Sequence, residues 1–134
     1  MRRTLNNNNS DKGNSLIYAV DFDGTLHSGN YPTIGQPNVE LISHLLMQQS
    51  KGHKIVLWTC REGKLLDDAV DWCKNFGLVF DAVNDNVDFM IDAFGGSNPR
   101  KIFANVYIDD RAWKPNLHKP AIKHFQVSSE CEIF

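Results

Sequence analysis

Asp21-Phe22-Asp23-Gly24-Thr25-Leu26 sets two carboxylates two residues apart, directly ahead of a glycine. In extended chain, residues i and i+2 point the same way. One carboxylate can then attack a substrate while the other handles a proton. Gly24 permits a sharp turn straight after them, and Thr25 is suited to cap that turn. Two further stretches carry reactive groups: Thr59-Cys60-Arg61 offers a hydroxyl, and Asp109-Asp110-Arg111 offers two more carboxylates. A lone aspartate is ordinarily a solvated loop residue. Four gathered at one edge would repel one another, and a bound cation is the simplest remedy. An all-oxygen donor set selects a hard ion, Mg²⁺ first. Such an ion would also relieve the repulsion between an anionic attacker and a phosphate ester, so phosphoryl transfer is the chemistry that fits.

These groups meet only if the chain between them folds into a parallel sheet, and the hydrophobic pattern predicts one. Leu16-Ile17-Tyr18-Ala19-Val20 and Ile55-Val56-Leu57-Trp58 read as strands buried on both faces. Phe80-Asp81-Ala82-Val83 is a weaker third strand and Val106-Tyr107-Ile108 a fourth, with a fifth around Ile122, Phe125 and Val127. Between them, Pro37 opens a helix with Val39, Leu41, Ile42, Leu45 and Leu46 on one face, closed by Gly52. A second amphipathic helix runs from Leu65 to Phe76 and ends at Gly77, and a short one fits residues 86–94, before Gly95-Gly96. Strands alternating with helices call for right-handed βαβ units: an α/β, Rossmann-like, three-layer domain with a mainly parallel sheet. In such sheets ligands bind at the carboxyl ends of the strands, which is where all three reactive stretches fall.

With the residues in this order, Asp21-Phe22-Asp23-Gly24-Thr25-Leu26 resembles the first motif of the haloacid dehalogenase-like superfamily, in its phosphatase branch. Thr59 at the end of a strand resembles the second motif, and Ile108-Asp109-Asp110 the paired-acid form of the fourth. The resemblance spans residues ~15 to ~113 and implies roles. Asp21 would be the nucleophile that forms an aspartyl-phosphate. Asp23 would protonate the leaving group and then activate water. Thr59, with the backbone N–H of Cys60, would bind the phosphoryl group. Asp109 and Asp110 would hold Mg²⁺ together with the Asp21 carboxylate and the Asp23 carbonyl, one of the pair directly and the other through water, with Asp110 preferred as the direct ligand.

The family's third motif, a lysine that neutralises the phosphoryl charge, is where the sequence departs. Lys101 lies eight positions before Asp109. If residues 103–109 are strand, it starts near the opposite edge, ~25 Å away at ~3.3 Å per residue. Arg61 and Lys64 follow the second strand on the correct edge and are favoured; Lys101 serves only if segment 95–104 folds over the site. His27, just after the first motif, is a candidate for substrate contact. Trp113 is either packing or a wall of the cleft.

The 134 residues suit one domain. Residues 1–14 are polar, with four consecutive asparagines, and read as a disordered tail; residues 15–134 form the single core domain. Neither gap between motifs has room for a cap domain, so the member expected is small and capless, with an open site for a phosphorylated substrate that could be bulky, or one walled by a second copy of the chain. A net charge of −2 gives no electrostatic reason to expect nucleic acid. No apolar run is long enough to span a membrane and no signal peptide is evident. Three cysteines at spacings that fit no metal site point to reduced thiols and a cytoplasmic protein. The expected activity is a Mg²⁺-dependent phosphohydrolase acting through an aspartyl-phosphate. Two alternatives are a receiver-like phosphoacceptor domain and a catalytically idle binding domain. Receivers carry the acidic pair after the first strand, whereas here it follows the last main strand.

Overall fold

A computed structural model describes residues 15–113 and 115. The elements run β1 (Ile17–Val20), α1 (Val39–Ser50), β2 (Lys54–Leu57), α2 (Gly63–Asn75), β3 (Ala82–Val83), α3 (Asp88–Ala93) and β4 (Val106–Ile108). The strands form one parallel sheet in the order β3-β2-β1-β4. The domain is therefore α/β and Rossmann-like. The tail at 1–14, the fifth strand around 122–127, His118, His124 and Cys131 lie outside the described residues.

All four side chains of β1 are buried, as a central strand requires. The pleat sends them alternately to two cores. Tyr18 and Val20, beside Ile55 and Leu57 of β2, face Ile42 and Leu45 of α1 and Ala69 and Cys73 of α2. Ile17 and Ala19, with Val56, face the other way, toward Phe89 and Met90 of α3 and toward Ile102 and Ala104. Helices thus cover both faces and make three layers. Among the described residues, Leu26 to Lys54 holds one helix, α1, and Arg61 to Asn105 holds α2, β3 and α3, all elements of the three layers.

Local chemistry sets the ends of the elements. α1 is capped by Asn38, whose Oδ1 accepts from the Leu41 N–H at 3.1 Å; Pro37 stays outside the helix. Val39, expected on the buried face, is 64% exposed, because burial begins a turn later at Ile42. α2 ends in a Schellman arrangement: Gly77, with φ +87°, donates to Lys74 O, and Leu78 donates to Cys73 O. The pair closed by that last bond, Cys73 and Leu78, is fully buried. β3 is shorter than the strand expected over 80–83. Asp81 Oδ2 accepts from Ile55 N–H at 2.8 Å, so a side chain does there what a strand carbonyl would do.

The chain lays down β1, β2 and β3 in one direction and then returns to place β4 on the far side of β1. The order therefore reverses between β1 and β4, where open α/β sheets leave a crevice at the carboxyl ends.

Candidate active site

The turn after β1 is built around Phe22, which is fully buried, while Asp21 and Asp23 on either side of it line the cleft. Asp21 N–H donates to Ile108 O at 2.9 Å and carries the β1–β4 pairing into the site. Thr25 and Leu26 both donate backbone N–H groups to Phe22 O, which tightens the turn. The Thr25 hydroxyl donates to Asp21 Oδ2 at 3.0 Å and accepts from the Asp110 N–H at 3.1 Å. One side chain thereby fixes the β1 carboxylate against the β4 loop. Gly24 has φ +83°, and a Cβ there would overlap the Asp110 carboxylate, so glycine is required twice over.

Asp21, Asp109 and Asp110 each present a carboxylate oxygen, and the three oxygens lie within 4.8 Å of one another. Burial pushes the Asp21 carboxyl up to about 6; the Thr25 hydrogen bond opposes this, while Asp109 and Asp110 add to it. Three acidic oxygen donors with no basic side chain among them fit a hard divalent cation such as Mg²⁺.

The Asp23 carboxylate stands apart from this trio. Arg61 grips it with both Nε (2.9 Å, to Oδ2) and Nη2 (2.7 Å, to Oδ1), and His27 Nε2 lies 2.9 Å from Oδ1. The Arg61 hydrogen bonds, with help from His27, hold the Asp23 carboxyl below its usual value in spite of burial. Arg61 itself is buried and donates further to Pro32 O (3.0 Å) and Leu65 O (3.3 Å). Its guanidinium carbon lies 4.9 Å from the centre of the Phe22 ring and 5.1 Å from that of Tyr31.

Thr59 and Cys60 line the same cleft as Asp21, with Arg61 behind them. Thr59 N–H donates to Asn84 Oδ1 at 2.8 Å, and Thr59 Oγ1 accepts from Arg61 N–H at 3.1 Å. Lys64 instead pairs with Asp68 at 2.8 Å on an exposed face of α2. Lys101 sits on the segment entering β4 at its amino end, its Nζ 5.8 Å from the centre of the Tyr107 ring. Of the three basic candidates, Arg61 is the one brought to the cleft. His27 is 1% exposed, so its ring is not offered to substrate.

The amides after β3 were not singled out in the sequence. Asn84 adopts φ +52° and holds the Thr59 backbone. Asn86, buried, donates to Asn98 Oδ1 and Pro99 O and accepts from Phe103 N–H, fastening segment 98–103 to the end of β3. The signal was available: Asn84-Asp85-Asn86 closes a strand end, and asparagine tolerates the left-handed region.

The cleft has a volume near 540 Å³, and Asn30, Tyr31 and Arg111 line it together with the carboxylates. No helix among the described residues is long and apolar enough to cross a membrane.

No family model matches the chain, and no curated protein matches it. Among solved structures, the chain is similar to a conserved protein coded by a locus of Bacteroides thetaiotaomicron. The two are 36% identical, with a TM-score of 0.64, over 83% of this chain and 92% of that one. With that identity across nearly the whole of the bacterial protein, the chain belongs to its family.

Proposed function

We propose that the protein is a Mg²⁺-dependent phosphohydrolase acting on phosphate monoesters through a phosphorylated Asp21. The observation that carries the reading is the convergence of Asp21, Asp109 and Asp110 where the strand order reverses, on a cleft shared with Thr59. The resemblance of the three motifs to the haloacid dehalogenase-like superfamily supports it. Asp21, Asp109 and Asp110 would hold a Mg²⁺ ion, which would supply charge neutralisation at the attacking carboxylate and the phosphoryl group. Asp21 attacks phosphorus, the bond to the ester oxygen breaks, and that oxygen takes the proton of a protonated Asp23 as the alcohol departs. Thr59 Oγ1 and the Cys60 N–H are the donors for the phosphoryl oxygens. Water then attacks the aspartyl-phosphate, Asp23 takes its proton, and inorganic phosphate leaves.

Arg61 and His27 favour ionised Asp23, which suits the second half-reaction. Protonating a leaving group first requires Asp23 to take up a proton against that pairing. Aryl phosphates, whose alcohols depart without a proton, should therefore turn over faster than alkyl esters. Arg61 adds positive charge at the back of the cleft while remaining bound to Asp23. We assign the protein to the cytoplasm, a reading supported by Cys60 and Cys73, both free thiols.

The test is hydrolysis of p-nitrophenyl phosphate with Mg²⁺, abolished by EDTA and absent in Asp21→Asn. Stable self-phosphorylation from acetyl phosphate without turnover would replace this reading with the receiver. Neither hydrolysis nor labelling would leave a binding domain.

A further inference from the structure

His27 is a buried polar side chain whose two nitrogens are both engaged, and in different directions. Nδ1 lies 2.9 Å from the Gly29 N–H and 3.0 Å from the Gly35 N–H, two donors that nothing but an acceptor can satisfy. The ring proton must then reside on Nε2, which donates to Asp23 Oδ1 at 2.9 Å. Turning the ring over would face carbon toward both backbone donors. Phe22, with its ring centre 4.6 Å away, and Trp72, at 6.1 Å, close around the imidazole.

The two backbone donors form the neck of a loop. Gly29 and Gly35 meet backbone to backbone, so closely that a Cβ on either would collide with the other. Asn30 and Tyr31, in the loop between them, line the cleft, and Tyr31 is 59% exposed. Arg61 ties the same loop at Pro32 O while holding Asp23. The wall of the cleft and the second aspartate are therefore mounted on the same two side chains.

We infer that His27 is a positioning residue with two separable tasks: through Nε2 it orients Asp23, and through Nδ1 it fixes the 28–35 wall that meets the substrate's leaving group. The kinetic part rests on the phosphohydrolase reading; the structural part does not. Two amide variants divide the tasks, because the Asn amide falls where Nδ1 lies and the Gln amide where Nε2 lies. His27→Gln keeps a donor for Asp23 and loses the loop acceptor. It should hold kcat within about threefold of the parent on p-nitrophenyl phosphate with Mg²⁺, while KM rises about tenfold and the Gly29 and Gly35 amides exchange faster. His27→Asn keeps the loop acceptor and leaves Asp23 held by Arg61 alone. It should leave KM and both amides near the parent, while dephosphorylation in single turnover slows about tenfold.

If both variants lose kcat and KM together, in step with a fall in melting temperature, His27 is merely structural and the inference is overturned. Should neither variant fold, nitrogen-15 shifts of the His27 ring in the wild-type protein decide the matter. A protonated Nε2 with a bare Nδ1 supports the inference, and a protonated Nδ1 overturns it. If the wild-type protein hydrolyses no phosphate ester, the phosphohydrolase reading fails. The ring tautomer and the protection of Gly29 and Gly35 then decide the structural part.

Discussion

Asp21 and Asp23 leave the same strand two residues apart and meet opposite surroundings. Asp21 faces two more carboxylates and a hydroxyl, and burial pushes its carboxyl up to about 6. Asp23 faces a bidentate guanidinium and an imidazole, and its carboxyl is held low. The first group carries three carboxylates with no basic side chain among them, which is why we propose a cation there; the second is neutralised within the protein. Two identical side chains from one turn can thus be given different work by what the rest of the fold brings against them.

The largest effect expected from breaking this contrast is at Asp21. In the proposed reaction Asp21→Asn removes the attacking oxygen with almost no change in shape, and turnover should fall by about three to four powers of ten. A variant within tenfold of the parent would show that the nucleophile lies elsewhere.

Next comes the neutralised side. Arg61→Met leaves Asp23 facing His27 alone and should cost about 3 kcal/mol of stability, the low end for breaking a buried pair, since Asp23 keeps some contact with water. Adding Asp23→Asn should restore part of it, because no unpaired charge then remains. Denaturant unfolding of the two single variants and the double variant measures the coupling, and strict additivity would mean that the pair contributes nothing.

A smaller effect should follow from Gly24→Ala. The new methyl group meets Asp110, and the backbone is held at positive φ. About 1 kcal/mol of strain is expected, along with Mg²⁺ binding weakened about tenfold as one carboxylate is displaced. Calorimetric titration reads the affinity, and unchanged affinity would remove Asp110 from the cation site.

The smallest effect sharpens the comparison through pH. Asp21 titrates higher folded than unfolded, so its proton favours the folded state. That contribution is fully present below pH 3.8 and is lost as pH rises through about 6. At the proposed site Mg²⁺ would replace the proton, so the rise in melting temperature that it causes should be larger at pH 7 than at pH 4.5. An equal rise at both values would place the ion away from Asp21.

The strands and their ends were legible because burial on two faces demands unbroken apolar runs, as in Ile17–Val20. The carboxylates were legible because parallel strands bring their ends to one edge. Long-range polar pairing was not. Arg61 reaches Asp23 across 38 positions, and nothing in either residue's neighbourhood reveals the other. His27 binds backbone N–H groups, which every residue but proline carries and no sequence advertises. β3 came out short because a carboxylate, Asp81, replaced a strand bond, and an apolar pattern does not register such an exchange.

The bond between the Asp110 N–H and the Thr25 hydroxyl spans 85 positions and joins the end of the last described strand to the end of the first. Closing a loop of that length costs about 4 kcal/mol of chain entropy beyond the constant term. That entropy must be given up before a contact of such separation stabilises the chain. As the chain emerges from a ribosome, β1, α1 and β2 can collapse together well before β4 exists. The acidic trio cannot assemble until residue 110 has been made, so the proposed cation site is unfinished on a nascent chain. Binding of an ion there should then follow closure of the sheet and act as a latch on the completed fold.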